Sequence, residues 1–232
     1  MSGEHLTIKT PDGAFSAYVA RPAAAKAPAV VVIQEIFGVN AVMRETTDWL
    51  ASRGYLAICP DLFWRIEPGI DISDKTKAEW DRAFELFGLF NAETGVADIA
   101  ATIAAIRADT GCNGKVGAVG YCLGGKMAYL TAARTDVDAS VSYYGVGIDS
   151  LTGEAATIKR PLLMHIAGED GFVPREAQAA IHAALDSNPL ITLHDYPRRD
   201  HAFARQGGEH YDAADAGRAN DRTLAFFKAN LA

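Results

Sequence analysis

Cysteine is scarce in this chain, and no pattern makes it structural. Cys59, Cys112 and Cys122 are the three cysteines among 232 residues. Their number is odd and they show neither CxxC nor Cys/His metal spacing, so no disulfide framework and no metal site is expected. The six histidines, His5, His165, His182, His194, His201 and His210, show no HExxH spacing. Basic charge is short as well. With 22 Lys and Arg against 29 Asp and Glu, the net charge is −7. Non-specific binding to nucleic acid or to an anionic membrane is therefore not expected. No apolar run reaches the roughly 18 residues of a membrane span. The start, Met1-Ser2-Gly3-Glu4-His5, lacks the basic and apolar regions of a secretory signal. A reduced, cytoplasmic protein is the simplest reading.

What is present is the composition of a globular α/β domain, with 49% hydrophobic and 22% charged residues. The length suits a single domain over residues 1–232. Apolar runs predict strands at 6–9, 15–20, 29–34, 56–59, 115–119, 139–144, 162–166 and 191–196. Amphipathic stretches predict helices at 42–52, 75–90, 95–107, 123–134, 175–185 and 215–229. Pro11-Asp12-Gly13 reads as the turn of an antiparallel hairpin. From Ala29 onward, strands alternate with helices, which predicts a mostly parallel sheet of about eight strands with helices on both faces. Residues 61–77 mix Pro, Gly and Asp with aromatics and read as an irregular loop.

Gly120-Tyr121-Cys122-Leu123-Gly124-Gly125 is the most informative segment. It lies between a predicted strand and a predicted helix. Strand, Gly-x-nucleophile-x-Gly, helix is the layout of a nucleophile elbow, with Cys122 where Ser commonly stands. The elbow holds its side chain at a helix N-terminus, whose partial positive charge favours a thiolate and an oxyanion. A buried Cys in a Gly-rich turn is the plain alternative. A nucleophilic Cys needs a base, and the base an orienting acid. The order nucleophile, acid, histidine is met after the predicted strands at 162–166 and 191–196. Glu169 and Asp170 are both available as the acid, with Asp170 favoured beside Gly171. An Asp next to Gly is otherwise a turn residue. His201 fits the third position. His194 lies within a predicted strand, and His210 lies further into the loop. The oxyanion donors are expected to be the N–H groups of Leu123 and of Ile36, in the loop Gln34-Glu35-Ile36-Phe37-Gly38. Glu35, at the end of an apolar strand, is either salt-bridged or functional, with Arg205 as its candidate partner.

These residues resemble the dienelactone hydrolase family. The match runs through 34–40, Pro60-Asp61-Leu62, 117–125, Tyr143-Tyr144-Gly145-Val146-Gly147, Asp170, Val173-Pro174, and His201 through Phe203 and Arg205. The resemblance implies an α/β-hydrolase fold and a Cys122–His201–Asp170 triad without metal or organic cofactor. It implies hydrolysis of a small enol-lactone bearing a carboxylate, of the dienelactone-to-maleylacetate type in chloroaromatic breakdown. It gives Glu35 a contact with the resting cysteine and the thiol proton on substrate binding, and gives Arg205 the substrate carboxylate. A second Arg and a Tyr of the family's pocket are replaced here by Trp80 and Phe84, which cannot clamp a carboxylate. Phe37, Trp80 and Phe84 are then candidate apolar substrate contacts; Trp80, Phe84 and Phe87 are otherwise ordinary core at helical spacing, and Arg82 points elsewhere. A general carboxylesterase acting on neutral esters is the competing enzyme reading. A non-catalytic binder of the same fold and a thiol redox sensor are the others. A monomer acting on a small molecule is expected.

Overall fold

A computed structural model describes residues 3–232. The chain divides into two compact units, residues 1–118 and 119–232.

In the first unit β1 (Glu4–Thr10) and β2 (Gly13–Ala20) form the expected antiparallel hairpin, with Thr10 opposite Gly13. Gly13, at φ 147°, makes the turn that residues with a side chain rarely adopt. β3 (Ala27–Ile33) and β4 (Leu56–Pro60) run parallel, and β2 pairs antiparallel with β4. The strand order is β1-β2-β4-β3-β5, where β5 (Cys112–Tyr121) continues into the second unit. Val30, Val31, Val32 and Ile33 are all fully buried, as an apolar run without alternation requires. Helix α1 (Ala41–Ser52) packs on β2, β3 and β4 through Met43, Thr47, Leu50 and Ala51, one stripe at helical spacing. Asn40 Oδ1 caps it by accepting from Met43 N at 3.1 Å. Helix α2 (Lys77–Leu89) starts at a capping box, Thr76 with Glu79, and α3 (Ala92–Arg107) packs on β1, β3 and β4. The break between α2 and α3, at Phe90 and the cap Asn91, falls where the sequence predicts one helix ending and another beginning a few residues later.

In the second unit the order is β5-β6-β7-β8, with β6 (Ala139–Tyr143), β7 (Leu162–Ala167) and β8 (Ile191–Tyr196) all parallel. Helices α4 (Leu123–Arg134), α5 (Arg175–Leu185) and α6 (Ala213–Asn230) follow β5, β7 and β8. A 3-10 helix at Asp149–Thr157 was absent from the sequence expectation; it carries no buried stripe that would announce it. Tyr143, His165, Tyr196 and Thr223 join β6, β7, β8 and α6 by buried hydrogen bonds of 2.7 to 3.1 Å. Burial, with the nearby charges of His194 and Arg222, holds His165 well below the ordinary histidine range, so it serves this network as a neutral ring. No single described helix is long and apolar enough to cross a membrane.

Two glycines separate helix propensity from packing. Gly217 lies inside α6 with open space where a Cβ would stand, so Gly217→Ala is expected to stabilise the protein by about 1 kcal/mol. A Cβ on Gly125 would meet Tyr143 O at 2.4 Å and Gly145 Cα at 2.7 Å. Gly125→Ala is expected to cost about 1–3 kcal/mol through that overlap. Urea midpoints of the two variants moving in the same direction would contradict this.

Candidate active site

Strand β5 ends at Tyr121 and α4 begins at Leu123, so a single residue, Cys122, makes the reversal. Cys122 sits at φ 57°, ψ −115°, a conformation that side chains seldom adopt and that functional sites retain. The surroundings enforce it. Cys122 N donates to Tyr143 O at 3.1 Å, and Cys122 O accepts from Lys126 N at 3.2 Å. A Cβ on Gly120 would stand 1.9 Å from Gly124 O, so strand and helix approach too closely for any side chain there. The sulfur is thus placed at the first turn of α4, with 9% of the residue exposed.

His201 and Asp170 come together from the loops after β8 and β7. The Nδ1–H of His201 donates to both Asp170 carboxylate oxygens, at 3.0 and 2.9 Å. Asp170 Oδ1 is itself fixed by the N–H groups of Phe172 and Val173, at 2.8 and 3.1 Å. Both residues are buried. Glu169, the other acid considered, instead pairs with Arg175 in solvent at 2.6 Å. His194 stacks near His165 at 6.1 Å on β8, and His210 is exposed, 3.8 Å from Asp200.

His201 Nε2 is buried and has no hydrogen-bond partner of ordinary geometry among the described residues. The Cys122 sulfur nevertheless acts electrostatically on the imidazole and raises its pKa. Burial disfavours the imidazolium, but interaction with the Cys122 sulfur and the Asp170 hydrogen bond outweigh it, and the His201 pKa is pushed up to about 10. The rings of Tyr144 and Phe172 meet His201 edge-on, at 5.1 and 4.9 Å. Phe172 is 51% exposed and stands on the solvent side of this cluster. Tyr144, at φ 37°, and Ala202, at φ 62°, are further strained backbone positions beside the histidine. Arg205 is buried four residues after His201, its N–H donating to Ala202 O at 2.9 Å.

The remaining candidates lie in the first unit. Glu35, Ile36 and Phe37 follow β3 and are buried. Gln34 Oε1 accepts from Leu62 N at 3.0 Å, which ties the end of β3 to the loop after β4. Gly38, at φ 78°, approaches Ile70 O so closely that a Cβ would stand 1.9 Å from it. The segment is therefore held against residues 70–72, where Ile72 N donates to Phe37 O at 3.2 Å. The Phe37 ring meets Trp80 edge-on at 5.0 Å, and Trp80 packs against Phe84 at 5.5 Å. Phe84 is 46% exposed. Neither Trp80 nor Phe84 reads as closed core: one side of this aromatic row faces outward. Arg82 pairs with Glu67 and Glu85 at the surface.

A cysteine on a strand-to-helix elbow, a buried His–Asp pair from the next loops, and β/α order define an α/β-hydrolase. Comparison with known proteins narrows this. The profile of the dienelactone hydrolase family matches residues 15–231. A protein of Azospirillum brasilense that carries the name carboxymethylenebutenolidase provisionally is 53% identical over 95% of both chains. A carboxymethylenebutenolidase of Pseudomonas putida is 44% identical over 97% of this chain and 96% of its own. The crystal structure of a provisionally named dienelactone hydrolase from Klebsiella pneumoniae subsp. pneumoniae superposes with a TM-score of 0.85 at 29% identity, covering 97% of this chain and 98% of that one. The chain belongs to the dienelactone hydrolase family, and it is a hydrolase.

Because the folded-state pKa of His201 lies above the ordinary value of 6.5, the stability from its ionic contacts is fully present below that pH and is lost as pH rises to about 10. In an NMR titration Cys122→Ala, which removes the sulfur, is expected to lower the His201 pKa. An unchanged titration would mean that sulfur and imidazole are not in electrostatic contact.

Proposed function

We propose that the protein hydrolyses small enol-lactones or esters by covalent catalysis at Cys122, through a thioester acyl-enzyme. The observation that carries the reading is the buried His201–Asp170 pair in electrostatic reach of an elbow cysteine. The Cys122 thiolate attacks the acyl carbon, and the ring C–O bond of the lactone breaks as an enolate leaves. An enolate leaves easily, which suits a thiolate nucleophile. His201, oriented by Asp170, then takes a proton from water, and the hydroxide cleaves the thioester to a carboxylate and free thiol. The oxyanion is assigned to the N–H groups of Leu123 and Ile36. Glu35 is assigned the first proton from the resting thiol, with His201 as the alternative. Arg205 is assigned a substrate carboxylate, which fits the carboxymethylenebutenolidase names of the relatives. The activity needs no cofactor in this reading, and the protein acts as a cytoplasmic monomer of one domain.

A second reading has a specific observation in its favour. Phe37, Trp80 and Phe84 form an aromatic row with an exposed end, where a carboxylate clamp would need Arg and Tyr. Such a row suits the apolar part of a neutral ester. The test is kcat/KM for a cis-dienelactone beside a neutral aryl ester of similar reactivity. The dienelactone is expected to be preferred, and Cys122→Ala to reduce its turnover by about 10⁴-fold or more. Preference for the neutral ester, lowered about tenfold in Trp80→Ala, would establish the second reading. Undiminished activity in Cys122→Ala would overturn both.

A further inference from the structure

Asp200 immediately precedes the histidine, on a loop that sequence reading leaves without a role. Its Oδ1 accepts two backbone N–H groups. One is from His201, at 2.6 Å; the other is from Gly171, the residue after Asp170, at 3.0 Å. A single carboxylate oxygen therefore joins the backbone of the base to the backbone of the acid. The bond to Gly171 fills a gap that Asp170 leaves. Asp170 Oδ1 takes the N–H groups of Phe172 and Val173, and that of Gly171, which precedes them in the same turn, is left to Asp200. Two main-chain bonds lead up to it, Gly168 N to Tyr196 O at 2.9 Å and Glu169 N to Arg199 O at 2.8 Å. Beyond Asp170 these main-chain links stop, and the Asp200 side chain supplies the last tie. The neighbouring Arg199 fixes the same loop to the start of α6 through Asp212 and Asp215, at 2.8 and 2.5 Å.

The loop needs this restraint because the residue after His201, Ala202, is held at φ 62°. Strain of that kind persists only where several contacts over-determine it. Burial works against the charge on Asp200, but the two N–H donors and nearby His210 and His201 hold its carboxyl below the usual range, so it is ionised when it accepts them. Its other oxygen lies 3.8 Å from His210 Nε2.

We propose that Asp200 is a positioning residue for the hydrolysis: without touching substrate, it sets the His201–Asp170 geometry by holding the two loops in register. This rests on the triad reading above. A misplacement of about 1 Å in such a pair costs up to 100-fold in rate.

The experiment compares Asp200→Ala, Asp200→Glu, Asp200→Asn and His201→Ala. It measures kcat, KM, and the low-field proton resonance of the His201 Nδ1–H···Asp170 hydrogen bond. Asp200→Ala is expected to lower kcat at least tenfold with KM within about twofold, and to lose or shift the resonance. Asp200→Glu keeps the charge but lengthens the arm, and is expected to behave like Ala even if the Ala variant folds poorly. Asp200→Asn keeps the accepting oxygen and is expected to retain kcat within about threefold and the resonance. Wild-type kcat and resonance in the Ala or Glu variant would overturn the inference, as would an Asn variant as impaired as Ala. If His201→Ala is inactive while Asp200→Ala is wild type, only this inference falls. Wild-type turnover in both would overturn the triad reading as well.

Discussion

The reversal at Cys122 is the constraint on which the second unit is built. One residue must end β5 and begin α4, so the strand and helix backbones come almost into contact. The distance from Gly120 to Gly124 leaves no room for a Cβ, and Gly125 lies as tightly against Tyr143 and Gly145. In return, the sulfur is held at the start of a helix in a conformation it would not choose alone. The carbonyl of Tyr143 and the amides of Lys126 and Val146 close around the same residue. In the proposed mechanism, a nucleophile fixed in this way loses little orientational freedom when it attacks.

His201 and Asp170, the proposed base and its orienting acid, are held differently. They are carried on loops, and loops need explicit restraints to reach catalytic precision. Asp170 is fixed by two amides of its own turn, and His201 by the carboxylate of Asp170. The buried network of Tyr143, Thr223, His165 and Tyr196 ties β6 and the two strands that launch these loops, β7 and β8, to α6. The ionic part of the site is therefore supported by neutral hydrogen bonds, which do not vary with pH while His165 stays uncharged.

Much of this was legible in the sequence because it is local. β8, α4 and α5 fall at the residues that periodicity marks, and the ends of the other strands and helices lie within a few residues of the expected ones, α2 and β6 being shorter than expected. Cys122 was visible because an elbow needs glycines at fixed offsets. Asp170 and His201 were legible only through chain order, since neither has a local signature beyond a turn. Asp200 was not legible, because an acid bonded to an amide 29 residues away looks like any loop carboxylate. The strained conformation of Tyr144 is set by its N–H reaching His165 O at 2.9 Å, which is likewise invisible in the chain. In residues 1–118, Trp80, Phe84 and Phe87 were readable as a helical stripe; Phe37, on the loop after β3, joins this row only in space. Its exposed end was not, because periodicity does not say which side of a stripe remains uncovered.

The measurement that most directly tests the central claim is mass spectrometry of the protein acid-quenched within its first turnover of an activated ester. The expected result is one acyl group per chain, located on the peptide that contains Cys122 and released by hydroxylamine as a thioester would be. An acyl group on another residue, or turnover with no covalent adduct at any quench time, would contradict covalent catalysis at Cys122.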